Sequence, residues 1–414
     1  DLVPVLLTGA LHCLDDGEDE IRQNAEEANA RLCSAAKFLG DELPVQAIVD
    51  AVLGAMRPGV SGQERGPAVL LGCFGWAQLM LDQRPDRVLE SSVRDRLLEA
   101  ALGVLQRPEP EVAVKALRLI ACLVARSGGG GDRGAAGDSS WKSPTVEEVP
   151  ESLVPVAKDS VDDNDLFACT CHRLFKLMAA DSTLLSSRGE LIVRRLCDGV
   201  DVERFFATAA RAVLDEEDAG FAQRLVRVLN WVLLTSRETQ GLRERLRDIA
   251  TAAPRPGTGG AQPGEEVPVQ LMQLLLAWFR CPVSTLALCL WLHWFELAAE
   301  ITARLASIQL SGEVSAQLTS FVELLESPIF VRVRLQLLES QWRPSLLRTV
   351  LGLVVLLPQA HVLRARLEIV KTGLLLDRIS SAPAPPISVS SGCTRLLAKF
   401  DSVVALHGWQ DCIL

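Results

Sequence analysis

The side chains that could perform chemistry are few and poorly grouped in this sequence. Cys169, Cys171 and His172 form its tightest cluster of metal-ligating types, but no second pair of Cys or His follows at a zinc-finger spacing. The five His lie far apart, and none belongs to an HExxH motif. The pattern favours buried or surface roles for these residues, so we expect neither a metal nor another cofactor.

The acidic and glycine-rich stretches also lack the context that catalysis requires. The run Asp215–Asp218 precedes a predicted helix from Ala219, and acidic residues are favourable at a helix start. The glycines between Ser127 and Ser140 have no following Gly-Lys-Ser/Thr and no predicted strand before them, so they do not predict a phosphate loop. With no nucleophile elbow or kinase loop either, the sequence predicts a protein that binds and is not an enzyme.

The composition is typical of packed helices. Of 414 residues, 49% are hydrophobic and only 5% aromatic, with no Tyr. The formal net charge of −10 opposes binding to nucleic acid, and the densest basic stretches, Arg194–Arg195 and Arg237–Arg247, are followed by or interleaved with acidic residues. We therefore predict an all-α protein without a nucleic-acid partner.

The cysteines and the two most apolar windows bear on cellular location. Eleven Cys, scattered without a CxxC framework, indicate a reduced intracellular compartment. The windows Cys281–Phe295 and Thr349–Leu363 are shorter than the roughly 20 residues that cross a bilayer. No signal peptide is recognisable, and a chain that begins at Asp1 is expected to be a fragment.

The first part of the chain predicts helix pairs at a regular interval. Ile21, Ala68 and Val112 occupy matching positions at intervals of roughly 45 residues, within the period of HEAT and armadillo repeats. Such pairs stack into a HEAT/armadillo-like α-solenoid. The residues expected to face inward in the second helix are Ile21, Ala25, Ala28 and Leu32.

Composition then divides the chain at its Gly- and Pro-rich stretches. The predicted parts are HEAT-type repeats at 1–126, a flexible Gly/Pro/acidic insert at 127–165, a second helical domain at 166–378 with a loop insert at 252–268, a Pro/Ser linker at 379–392, and a terminal helix with tail at 393–414.

The stretch ESPIFVRVRLQLLE, from Glu326 to Glu339, permits two interpretations. Apolar and polar residues nearly alternate from Val331 onward, as in a half-buried strand. Ser327 followed by Pro328 is instead a favourable helix start. We interpret the stretch as a helix and keep the strand as the alternative. On a helix, Phe330, Val333, Leu337 and Leu338 would face a neighbour, and Arg334 fits this arrangement least well.

Six motifs in one order resemble the C-terminal region of the vacuolar protein 14 family. They are TLLSSRGELIVRRLC from Thr183, LDEEDAGFAQRLVRVLNWVLLTS from Leu214, CPVSTLALC from Cys281, FELAAEI from Phe295, ESPIFVRVRLQLLE from Glu326 and LLPQ from Leu356. One departure is Arg332, which stands where the family pattern has Tyr.

The resemblance implies a non-catalytic scaffold whose C-terminal region, 166–378, binds partners. It implies binding to a Sac-family phosphoinositide phosphatase, to the phosphatidylinositol-3-phosphate 5-kinase PIKfyve, and to further copies of the chain. Such a scaffold would control phosphatidylinositol 3,5-bisphosphate from the cytoplasm, reaching endosomal, vacuolar or lysosomal membranes only peripherally through the complex. A generic HEAT-repeat adaptor in transport or phosphatase regulation is the alternative.

The resemblance also places ten candidate contact residues in two of these motifs. For the apolar members, the alternative role is solenoid core. The candidates are Arg188, Gly189, Arg195, Pro328, Ile329, Phe330, Arg334, Leu335, Leu337 and Leu338.

Overall fold

The computed structural model describes residues 2–57, 65–127, 165–252, 269–307, 311–338, 343–357 and 391–407, with positions 361, 364, 365 and 368. Every regular element in these ranges is a helix, and the chain is an all-α, HEAT/armadillo-like solenoid of antiparallel helix pairs. The predicted fold class is confirmed. Most of the three predicted inserts lies outside the described residues. None of the described helices is long and apolar enough to cross a membrane.

The first of two compact units contains residues up to 127, 165–184 and 191–201 among those described. Its contacts therefore extend beyond the predicted boundary at residue 166, and the roles predicted for the domains stay predictions. Its helices are α1 (Leu2–Cys13), α2 (Asp19–Leu39), α3 (Val45–Met56), α4 (Pro67–Gln83), α5 (Pro85–Val88), α6 (Ser91–Val104), α7 (Pro110–Ser127), α8 (Leu166–Ala180) and most of α9 (Ser182–Gly199).

Helices of the first unit pack both within a pair and onto the next pair. Helix α1 contacts α2 and α3, α3 contacts α4 and α6, and α4 contacts α7. This pattern is that of a repeat stack, in which each pair covers the apolar face of its neighbour. The helices were predicted, but two inward positions were wrong. Ile21 is 37% exposed and Ala28 is also exposed, because the face of α2 that packs inward is the one with Ala25 and Ala36.

The second unit contains residues 185–190 of α9 and the described residues from 202 onward. Its helices are α10 (Val202–Asp215), α11 (Ala219–Thr235), α12 (Gln240–Ala252), α13 (Val269–Trp278), α14 (Pro282–Trp291), α15 (Phe295–Ala306), α16 (Gly312–Glu326), α17 (Val331–Gln336), α18 (Arg343–Leu356) and α19 (Ser391–His407). Helix α15 is central, since it packs against α14, α18 and α19.

A hydrogen bond from a buried Trp to an Asn is found in each unit. The Trp76 indole N–H donates to Asn29 Oδ1 at 2.7 Å, and the Trp278 N–H donates to Asn230 Oδ1 at 3.0 Å. The partners are 47 and 48 residues apart, which matches the repeat period inferred from sequence. Both Trp side chains are fully buried, so each pair satisfies a polar group that water cannot reach.

Gly352 lies where α18 crosses α15, and a Cβ atom there would overlap the Thr302 methyl group. Thr302 is buried and β-branched, so it has little freedom to move away. We expect Gly352→Ala to lower the free energy of unfolding by about 1–3 kcal/mol, measured by urea denaturation. The control is Gly75→Ala in α4, where an added Cβ would meet no atom within 4 Å. That change should instead stabilise the chain by roughly 0.5–1 kcal/mol. Equal effects of the two substitutions would contradict the close packing at Gly352.

Candidate partner-binding surface

The residues with metal-ligating or acid–base chemistry do not assemble into a site in the described part of the chain. Cys171 is buried on α8 while the adjacent His172 is exposed, so the cluster diverges. No group of three or more His, Cys, Asp or Glu could hold a metal ion there. Asp218 caps helix α11, accepting hydrogen bonds from the backbone N–H groups of Gly220 and Phe221 at 2.9 and 3.2 Å. The predicted role of the acidic run as a helix start is confirmed.

Helical turns form in the stretch after Glu326, which confirms the helix interpretation and excludes the strand. The Ser327 hydroxyl accepts a hydrogen bond from the Ile329 N–H at 3.3 Å. Pro328 opens a 3-10 turn through Phe330, and α17 follows from Val331. The first N–H groups of a helix have no internal partner. The Ser327 side chain accepts a hydrogen bond from one of them, and Pro328 has no N–H that would need a partner.

One side of this stretch is core. The Phe330 ring is fully buried and packs edge-to-face on Trp291 and Phe321, with ring centroids at 5.8 and 6.2 Å. Val333 and Leu337 are buried on the same side. Phe330 and Leu337 therefore have little side-chain surface to offer a partner, and the core alternative describes them better.

Arg334 uses its guanidinium inside the unit. Its Nη1 donates hydrogen bonds to the carbonyl oxygens of Leu325 and, at 2.6 Å, Ser327. These carbonyls end α16, where the last C=O groups of a helix lack partners. Arg334 fitted the predicted helix pattern least well, and the reason is that its side chain caps the end of the preceding helix, α16.

The opposite side of α17 is an exposed apolar row, which we call the α17 stripe and define as Val331, Leu335 and Leu338. Their exposed fractions are 43%, 56% and 64%. Val331 and Leu335 are spaced i, i+4 and lie on one face of α17, and Leu338 follows in the turn after its end. Leu338 was expected to face a neighbour, which is wrong, and the sequence did not single out Val331 as a contact. Pro328 is exposed beside the stripe and Ile329 is half-buried.

The candidate residues on α9 also divide into a buried residue and more exposed ones. Gly189 is buried, and a Cβ atom there would lie 2.9 Å from Leu185 Cδ1 and 3.4 Å from the Val228 methyl groups. It permits a close approach of α9 and α11, a structural role. Arg188 is half-buried and Arg195 is exposed. A contact role in this motif is therefore best assigned to the two arginines and remains a prediction.

Trp291 connects the buried side of the stretch to basic residues on α12. The Arg247 and Arg243 guanidinium carbons lie 5.3 and 5.9 Å from its ring centroid, at cation–π distance. The indole N–H donates to the Arg243 carbonyl at 3.2 Å. Burial lowers the pKa of Arg243, although its Nη1 donates to the Leu233 and Ser236 carbonyls. These contacts hold the ring on which Phe330 packs.

The part of the chain that contains these candidate residues matches a known protein family. Residues 182–370 match the model of the family described as vacuolar protein 14 C-terminal Fig4p binding. The match begins at α9 and includes the α17 stripe and all ten candidate contact residues.

Curated relatives extend the similarity towards the first unit. The chain is 29% identical to the protein VAC14 homolog of Arabidopsis thaliana over 89% of the chain and 42% of that protein. It is 33% identical to the homolog of Schizosaccharomyces pombe over 51% of the chain and 23% of that protein. The vacuole morphology and inheritance protein 14 of Saccharomyces cerevisiae is 22% identical over 86% of the chain and 34% of its own length. The chain thus spans less than half of each relative.

Proposed function

We propose that this chain, which belongs to the vacuolar protein 14 family, is a non-catalytic scaffold that binds a Sac-family phosphoinositide phosphatase. One observation carries the proposal. The part of the chain that matches a Fig4p-binding family is also the part that presents the exposed α17 stripe. Exposed apolar residues in a row are typical of a protein contact surface.

The scaffold would also bring a phosphatidylinositol-3-phosphate 5-kinase to the same assembly and associate with further copies of itself. Holding two enzymes on one scaffold raises the effective concentration of each near the other. The synthesis and turnover of phosphatidylinositol 3,5-bisphosphate would then be controlled together. Contact with endosomal, vacuolar or lysosomal membranes would be peripheral and made through the complex.

The contact residues in this proposal are the exposed candidates. In the stretch from Glu326 these are Pro328, Leu335 and Leu338, joined by Val331, and on α9 the exposed candidate is Arg195. The buried candidates would support this surface indirectly, because Phe330 and Leu337 fix the orientation of α17. Substituting them would disturb the fold before it disturbed a contact.

The proposal is tested by co-expression with the Sac-family phosphatase of the same organism. We expect the two proteins to co-purify and to elute together in gel filtration. Recovery of a karyopherin cargo or of an unrelated phosphatase catalytic subunit, without the Sac-family phosphatase, would contradict the proposal and favour a generic HEAT-repeat adaptor. Lipid kinase or phosphatase activity intrinsic to the purified chain would contradict its non-catalytic part.

A further inference from the structure

Two arginines border the α17 stripe, in a chain whose formal net charge is −10. Between Glu326 and Glu339 the sequence contains two arginines, Arg332 and Arg334, and no further acidic residue. On a helix, Arg332 and Arg334 lie on opposite edges of a row formed by Val331, Leu335 and Leu338. The apolar row therefore has one arginine on each side.

Arg332 and Arg334 differ in whether their guanidinium groups are available to a partner. Arg334 is half-buried, and its Nη1 is held by the carbonyls that end α16. Arg332 is exposed, and within the described residues no hydrogen bond or ion pair engages it. A charge at the rim of an apolar surface steers a partner of opposite charge. Arg332 is thus the residue positioned to meet an acidic group.

The geometry of the stripe indicates the shape of its occupant. The backbone of this stretch is turned into helix, where the Leu337 and Leu338 N–H groups donate to the Arg334 and Leu335 carbonyls, and the described residues contain no strand whose edge could receive an added strand. Three apolar residues at i, i+4 and i+7 extend over roughly 10 Å, about two helical turns. A second helix with apolar residues at the same spacing packs on such a row.

We propose that the α17 stripe takes an acidic amphipathic helix of the phosphatase partner. Its apolar side chains rest on Val331, Leu335 and Leu338, and one of its carboxylates pairs with Arg332. This inference rests on the proposed function and names the chemistry of the segment that is bound. An anionic membrane is the weaker fit, because lipid binding typically uses clusters of about four to eight basic residues.

The inference is tested by measuring the affinity of the purified Sac-family phosphatase for charge variants of the full chain. At about 0.05 M salt we expect Arg332→Glu to weaken binding about tenfold, mainly through a slower association rate. At about 0.5 M salt the difference should shrink, because ions screen the exposed charge. Arg332→Lys keeps the charge and should stay within about threefold of the original affinity. The control is Arg118→Glu, an exposed arginine on α7 outside the family match, which should bind as before.

A parallel Leu335→Asp variant separates failure of this inference from failure of the proposed function. If Leu335→Asp weakens binding but Arg332→Glu does not, the α17 stripe binds the phosphatase, and the proposal of an acidic helix as its occupant is wrong. If neither weakens binding, the α17 stripe is not the phosphatase site. Loss of binding to phosphatidylserine vesicles by Arg332→Glu, with phosphatase affinity unchanged, would overturn the inference in favour of a lipid surface.

Discussion

Phe330→Ala is expected to lower the free energy of unfolding by about 3–5 kcal/mol, the range for truncating a large buried aromatic side chain. The Phe330 ring is fully buried, and it is the only link between the Trp291 and Phe321 rings among the described aromatic contacts. Removing it opens a cavity beneath α17 that these rings cannot refill without moving. Urea denaturation followed by circular dichroism measures the loss.

The matched control for Phe330 lies on the other side of the same helix. Leu335→Ala removes a side chain that is 56% exposed, and should change the free energy of unfolding by no more than about 0.5 kcal/mol. Similar losses from the two variants would contradict the division of this stretch into a core side and a partner side. The expected difference also means that substitutions at Phe330 report on folding and cannot by themselves identify a contact.

Trp278→Ala is the second substitution with a large expected effect, also about 3–5 kcal/mol. The Trp278 ring is fully buried on α13, with the Phe206 ring centroid at 6.4 Å, and its N–H is bonded to Asn230. Trp278→Phe keeps most of the ring but leaves Asn230 Oδ1 without this donor, and should cost about 1–3 kcal/mol. The difference in the free energy of unfolding between Trp278→Ala and Trp278→Phe separates the cost of the cavity from the cost of the lost hydrogen bond.

Trp231→Ala serves as the control for Trp278, because Trp231 is 37% exposed in the same unit. It should lower the midpoint of thermal unfolding clearly less than Trp278→Ala does. If Trp278→Phe is as stable as the unmodified chain, the recurring Asn–Trp bond contributes nothing to the second unit.

Local features of the fold could be predicted from the sequence. Asp218 and Ser327 begin helices because their side chains accept hydrogen bonds from N–H groups two or three residues ahead, an interaction that depends on neighbouring residues alone. The repeat interval was visible for a similar reason, since stacked pairs repeat the same apolar pattern.

The orientation of individual side chains could not be predicted in the same way. Leu338 and Leu337 are chemically identical neighbours, yet Leu337 lies on the buried side, where Phe330 packs on Trp291 and Phe321, and Leu338 is exposed. The hydrogen bonds of Arg334 could not be predicted for the same reason, because the carbonyl groups that accept them are at the end of a different helix, α16. The family resemblance identified the stretch, but long-range packing separates its core residues from its surface.

Whether the α17 stripe is the partner surface is decided by the affinity of the purified Sac-family phosphatase for the Leu335→Asp variant. We expect binding at least about tenfold weaker than for the unmodified chain, with an unchanged helical signal and unfolding midpoint. Leu6→Asp, at a side chain 54% exposed on α1 and outside the family match, should bind as before. A folded Leu335→Asp variant that binds the phosphatase with unchanged affinity would contradict the claim that the α17 stripe is the partner surface.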